Sequence, residues 1–154
     1  KPEPVSVSAV TYNKIGDYKT KGVSRWEALD TDDLVFETED SAAALIRFKN
    51  GASMTVDVTW AINGKDRSIY SEIYGTKAGA SLDPFCIYSE EGGYLMDSRP
   101  VVEGENMFNN EIRHFLDCIK NKQQPLATLE DGIAIQKILN GIYESAKLGR
   151  EVQL

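Results

Sequence analysis

The chain has 154 residues, a length typical of one domain, and 42% of them are hydrophobic, enough for a packed core and too many for a disordered chain. Lys and Arg number 17 against 24 Asp and Glu, giving a formal net charge of -7. An acidic surface repels phosphate backbones, so nucleic acid is not an expected partner. No segment approaches the roughly 20 apolar residues of a membrane span, so we expect no membrane partner either.

The cysteines and the N-terminus bear on the cellular compartment. Cys86 and Cys118 are the only cysteines, and their positions do not match a metal-ligand spacing. A disulfide between them stays open, but the pattern favours two buried thiols in a reducing compartment. Lys1–Pro4 lacks the basic and then apolar order of a signal peptide. We therefore expect a cytoplasmic protein.

The first predicted strand covers Val5–Tyr12, which is rich in β-branched residues and alternates in polarity. Residues 13–34 that follow are polar and irregular and include Gly16 and Gly22. A connection of this length inside a domain is usually functional or mobile.

The clearest signal is a predicted hairpin of Ala42–Phe48 and Ala52–Trp60 around Asn50 and Gly51. A two-residue loop would divide the apolar side chains between both faces of the hairpin. A three-residue loop, residues 49–51, instead gives one uniformly apolar face, because a shift of one residue exchanges the faces. Gly51 then occupies the third loop position, which requires a left-handed conformation. The apolar face comprises Ala44, Ile46, Phe48, Met54, Val56, Val58 and Trp60.

The rest of the chain predicts further strands and then two helices. The strands are expected at 69–74, 80–83, 85–89 and 94–96. A helical stripe is formed by Phe108, Ile112, Phe115, Leu116 and Ile119. A second, wider stripe is formed by Ile135, Ile138, Leu139, Ile142 and Ala146. Thr128 and Asp131 resemble a capping box at the start of the second helix, and Gly149 ends this helix. The wide apolar stripe indicates that the second helix is more buried than the first. The pattern predicts an α+β domain: a mostly antiparallel, open-faced sheet with helices packed on one face, two of them C-terminal.

Three segments together resemble one family. Asp40–Ala52 resembles its hairpin motif E-D-x-A-x-x-x-x-x-F-x-N-G, and Glu72–Gly79 is similar to its E-I-x-G-(S/T)-K-G-G hairpin, with Ala78 in place of the first glycine. Asn110–Ile119, with Pro125 and Leu129–Gly132, resembles its closing helix pair. The family is that of glucose–fructose oxidoreductase, inositol dehydrogenase and the rhizopine-catabolism protein (Gfo/Idh/MocA).

The resemblance implies that residues 1–154 form one C-terminal substrate and oligomerisation domain of a larger enzyme. Such enzymes pair it with an N-terminal Rossmann domain and move a hydride between NAD or NADP and a sugar or polyol carbon. The family's Gly-rich fingerprint, its Glu-Lys-Pro lysine and its Asp-x-x-x-His pair do not occur in this sequence. We therefore expect no catalytic, cofactor-binding or metal-binding residues here, and we expect the chain alone to be inactive and without a cofactor.

Trp60 and the loop after it carry the one candidate site. If Trp60 forms a pocket wall, then Asn63, Lys65 or Arg67 can reach substrate hydroxyl groups, as the resemblance suggests. The competing interpretation is a core tryptophan beside a polar loop. His114, the only histidine, is predicted to face solvent.

Two hypotheses of different classes remain at this level. The first is the substrate and oligomerisation half of a sugar or polyol dehydrogenase, with its own Rossmann domain, a small sugar or polyol and further copies of the chain as partners. The second is a stand-alone, non-catalytic ligand-binding or dimerisation module.

Overall fold

The structure is a computed structural model, and it describes residues 1–15, 37–63, 69–102, 104 and 106–154. The chain divides into two compact units: Lys1–Asn63 with Leu126–Leu154, and Gly64–Pro125. Most of the irregular connection predicted for residues 13–34 lies outside the described residues.

The first unit contains a four-stranded antiparallel sheet. Its strands are β1 (Pro4–Tyr12), β2 (Ser41–Phe48), β3 (Ser53–Thr59) and β8 (Val152–Gln153), in the order β3-β2-β1-β8. The predicted strands correspond to β1, β2 and β3 with ends shifted by one residue. The two-residue strand β8 was not predicted, because it is too short to show any periodicity.

The β2–β3 hairpin has the predicted register. Ile46 pairs with Met54 and Ala44 with Val56. The backbone N–H of Phe48 donates to the Ala52 carbonyl at 2.9 Å, which closes a loop of three residues. Gly51 has a φ of +87°, the left-handed region that a side chain rarely adopts. The uniform apolar face is therefore confirmed.

Helix α2 (Leu129–Leu148) packs on β1 and covers part of this apolar face. The core residues, which come from both elements and from β2 and β8, are Val7, Ala9, Ile46, Ile142 and Val152. The predicted stripe was correct in its centre and wrong at one edge: Ile135 and Leu139 are exposed, whereas the small residues Gly141 and Ser145 are buried. Gly141 allows close approach, because a Cβ there would lie 2.4 Å from Leu154 Cδ2.

Both ends of α2 follow the sequence prediction. Thr128 is the N-cap and forms a capping box with Asp131, and Gly149 ends the helix with a φ of +64°. The Lys1 ammonium also contacts the Asp131 carboxylate. The hydrogen bond from Lys1 and the backbone hydrogen bond from Thr128 lower the pKa of Asp131 to about 2.

The second unit contains a four-stranded antiparallel sheet and one helix. The strands are β4 (Glu72–Tyr74), β5 (Ala78–Leu82), β6 (Phe85–Glu91) and β7 (Tyr94–Ser98), in sequential order. Helix α1 (Met107–Asn121) follows, capped by the Asn106 side chain. The α+β class, the antiparallel pairing and the two C-terminal helices are confirmed, with the strands divided between two sheets where the pattern indicated one.

The prediction that His114 faces solvent was wrong. His114 is half-buried, and its Nε2 lies 3.5 Å from the Sγ of Cys118 one turn later. The prediction placed solvent opposite the apolar stripe of α1, but the stripe residues Ile112, Phe115 and Leu116 are exposed, whereas Cys118 is buried. Cys86 and Cys118 are both buried as free thiols, as expected. In the described part of the chain, no helix is long and apolar enough to cross a membrane.

Candidate functional site

Trp60 is the predicted site residue that the structure describes in most detail. It directly follows β3, and its side chain is 57% exposed. Its indole Nε1 donates to the Glu39 carbonyl at 2.7 Å, and its backbone N–H donates to the Asp40 carbonyl at 3.1 Å. Trp60 therefore lies outside the core of the first unit, with its indole N–H hydrogen-bonded and the residue 57% exposed.

Glu39 links Trp60 to helix α2. While its backbone carbonyl accepts from the indole, its carboxylate Oε1 accepts from the Tyr143 hydroxyl at 2.7 Å. This hydrogen bond raises the pKa of Tyr143, so that its hydroxyl stays protonated to a higher pH than that of an unbonded tyrosine. Residues from the start of β2, the end of β3 and the middle of α2 thus meet at one end of the sheet.

Asp40 fixes the backbone at this end of the sheet. The residue is almost completely buried, and its carboxylate accepts from the backbone N–H groups of Lys14 and Ile15. Its own N–H donates to the Tyr12 carbonyl at 2.8 Å, and its carbonyl accepts from the Thr59 hydroxyl at 3.0 Å. A buried carboxylate with two backbone donors is satisfied and rigid, so Glu39 next to it has a defined position.

The other predicted site residues are placed less completely. Asn63 is exposed three residues beyond Trp60. Lys65 and Arg67 lie outside the described residues. The Gly75–Gly79 turn joins β4 to β5, so it does not lead into a helix N-terminus of the kind that holds a dinucleotide phosphate. Within the described ranges, no group of three or more His, Cys, Asp or Glu side chains could hold a metal ion.

Comparisons with known proteins agree with the motifs. The profile described as "Oxidoreductase family, C-terminal alpha/beta domain", of the Gfo/Idh/MocA family, matches residues 2–154. The chain belongs to this family. It is 31% identical to D-glucoside 3-dehydrogenase of Escherichia coli K12 over 156 residues, which is 99% of this chain and 43% of that protein.

Two solved structures share the fold of this Gfo/Idh/MocA domain. An oxidoreductase domain protein from Kribbella flavida superimposes with a TM-score of 0.78 at 15% identity, covering 99% of this chain and 46% of that one. Levoglucosan dehydrogenase in complex with NADH and levoglucosan gives a TM-score of 0.74 at 19% identity, covering 99% and 45%. This chain therefore spans less than half of the length of the proteins it matches.

Glu39 and Tyr143 are the residues of this end of the sheet that sequence reasoning missed. Glu39 begins the first family motif, so the motif itself pointed to its position but not to its contacts. Tyr143 lies beside the predicted stripe of α2, where an aromatic residue is ordinarily assigned to packing. Only the fold shows that they meet, since 104 positions separate them in the chain.

Proposed function

We propose that this chain is the substrate-binding and oligomerisation domain of an NAD(P)-dependent oxidoreductase acting on a sugar or polyol carbon. The observation that carries the proposal is Trp60, an exposed indole held by the Glu39 carbonyl beside Tyr143. Aromatic rings bind the apolar C–H faces of sugars, and nearby oxygens accept hydrogen bonds from their hydroxyl groups.

The relatives support this choice of substrate class. The names of two of them specify a D-glucoside and levoglucosan as substrates, and one was solved with NADH bound. In the proposed reaction, a hydride leaves a sugar carbon for the nicotinamide and the hydroxyl proton leaves to a base. The residues of this chain bind and orient the sugar, with Trp60, Asn63, Lys65 and Arg67 as the proposed contacts.

The dinucleotide and the proton-accepting groups belong, in this proposal, to an N-terminal Rossmann domain of the longer protein. The Gly75–Gly79 turn between two strands does not fit a pyrophosphate, because it lacks the helix N-terminus that stabilises the phosphate charge. We therefore expect the 154-residue chain alone to bind neither NADH nor NADPH and to oxidise no sugar.

The test uses the complete reading frame that contains this chain. Purified protein is mixed with NAD+ or NADP+ and a panel of methyl glucosides, free aldoses and polyols, and absorbance at 340 nm is followed. Reduction with at least one sugar or polyol is expected. No reduction across the panel would contradict the proposed activity.

Calorimetric titration of the 154-residue chain with NADH and NADPH tests the division of roles. We expect no binding heat. Micromolar binding to the isolated chain would contradict the assignment of the cofactor to another domain.

A further inference from the structure

Glu39 holds the Trp60 indole through its backbone carbonyl, and its carboxylate accepts a hydrogen bond from Tyr143. We propose that the Glu39 carboxylate and the Tyr143 hydroxyl bind two neighbouring hydroxyl groups of the sugar or polyol whose C–H face lies on the Trp60 ring. This inference rests on the proposed function and adds two specificity-determining residues to it.

The first step concerns the capacity of the Glu39 carboxylate for hydrogen bonds. An ionised carboxylate has about four acceptor positions on its two oxygens. One of them, on Oε1, is taken by the Tyr143 hydroxyl. Glu39 is half-buried rather than enclosed, so the remaining positions can accept a hydrogen bond from a ligand.

The second step concerns the direction of the bond between Tyr143 and Glu39. The Tyr143 hydroxyl donates its single proton in a hydrogen bond to the Glu39 carboxylate, and this bond raises the pKa of Tyr143. Its oxygen therefore offers lone pairs but no donor to a ligand. The Tyr143 residue is also 52% exposed, so a ligand can approach this side chain.

The third step is the chemical class of ligand that fits this combination. Two adjacent acceptors, one of them negatively charged, match a pair of neighbouring hydroxyl donors and repel an anionic group such as a phosphate or carboxylate. The exposed indole beside them adds an apolar surface. A neutral vicinal diol with an adjacent C–H face satisfies all three, and sugars and polyols have this structure.

A vicinal diol has two possible sources in such an enzyme: the sugar substrate and the ribose of the dinucleotide. We assign the diol to the sugar substrate. The Trp60 ring favours a pyranose or cyclitol, whose C–H groups form an extended face that can lie against an indole.

The experiment measures Michaelis constants in the full-length protein. Glu39→Gln keeps the backbone carbonyl that holds Trp60 and removes the carboxylate charge. It is expected to raise KM for the sugar about tenfold, as for the loss of a charged hydrogen-bond acceptor, with KM for the dinucleotide unchanged. Tyr143→Phe is expected to raise the same KM about fivefold.

Two variants serve as matched controls. Glu37→Gln removes an exposed carboxylate two residues away, and Tyr12→Phe removes the hydroxyl of another tyrosine that is 52% exposed. Each control variant should keep KM for the sugar and KM for the dinucleotide within about twofold of the wild type. Melting temperatures of all four variants establish that each is folded.

The outcomes separate this inference from the proposed function. If the wild type oxidises sugars and folded Glu39→Gln keeps the wild-type KM for them, the inference is overturned and the function stands. A rise confined to KM for the dinucleotide assigns the diol to the ribose of the dinucleotide, and this result also overturns the inference. If the wild type oxidises no sugar, the function fails, and saturation-transfer NMR with methyl β-D-glucoside decides the inference. A signal that Glu39→Gln abolishes supports it, and no signal from the wild type overturns it.

Discussion

The Ser145 hydroxyl in α2 accepts a hydrogen bond from the backbone N–H of Ala9 in β1 at 2.9 Å. It also donates to the Arg150 carbonyl at 2.7 Å. Strand β8 pairs with β1 at Ser6 and Val7, so the hydroxyl satisfies the ladder position next to the end of β8. One fully buried side chain thus connects the helix, the central strand and the C-terminal segment.

Replacing Ser145 by Ala should therefore destabilise the chain by about 1–3 kcal/mol, because it leaves the buried N–H of Ala9 without an acceptor. Urea unfolding followed by circular dichroism measures the change. Ser8→Ala on the same strand is the control, since Ser8 is exposed and its replacement should cost less than about 0.5 kcal/mol. Equal costs for the two variants would show that the Ser145 hydroxyl does not stabilise the sheet.

Gly51 and Gly132 allow the effect of backbone conformation to be isolated. A Cβ added at either would meet nothing within 4 Å, but Gly51 has a φ of +87° whereas Gly132 lies in helix α2. Gly51→Val should cost about 1–3 kcal/mol, and Gly132→Ala should stabilise by about 0.5–1 kcal/mol. A Gly51→Val variant as stable as the wild type would contradict the three-residue loop.

Gly92, in the turn between β6 and β7, is not a suitable control for that substitution. The structure gives a φ of +61° at Gly92 and +88° at Gly93, so both residues are left-handed in a two-residue turn. A β-branched residue is strained at each of them.

The lowered pKa of Asp131 predicts how the free energy of unfolding depends on pH. Its pKa is lowered from 3.8 to about 2 by the hydrogen bonds from Lys1 and Thr128, so the folded state favours the ionised form. The stability it adds is fully present well above pH 3.8 and is lost as the pH falls through 3.8 towards 2. Asp131→Asn should therefore have a lower urea midpoint than the wild type at pH 7, and the gap should close near pH 2. Glu144→Gln, at an exposed carboxylate of the same helix, is the control, and a gap independent of pH would contradict the assignment.

The two faces of the first sheet predict self-association of the chain. The polar face presents Ser53, Thr55 and Asp57, and on the apolar face Val58 beyond α2 is 58% exposed. We expect a dimer, formed through the polar face in the native assembly and with an added tendency to associate through the exposed apolar residues. Light scattering at about 100 μM, a concentration well above a micromolar Kd, measures the association. Thr55→Arg should weaken a polar-face dimer and Val58→Arg an apolar-face one, and a strictly monomeric chain would contradict the prediction.

Local patterns predicted the hairpin register and the end of α2, since the alternation of Met54, Val56 and Val58 and the turn chemistry of Gly51 and Gly149 are encoded in neighbouring residues. The burial of His114 could not be predicted in this way, because the apolar stripe of α1 is exposed and His114 instead contacts the buried Cys118. Only part of the candidate site could be predicted from the sequence. Trp60 ends an alternating strand and could be singled out, whereas its contact with Glu39 and the link to Tyr143 arise from the fold alone.

In the proposed function the Trp60 ring binds the sugar, and this contact can be measured by the kinetics of Trp60→Ala in the full-length protein. We predict that KM for the sugar rises about tenfold or more through the loss of ring contact, while KM for the dinucleotide stays within about twofold of the wild type. Tyr12→Ala removes an exposed aromatic side chain from the opposite face of the same sheet and should change neither constant. A folded Trp60→Ala variant with the wild-type KM for its sugar would contradict the account.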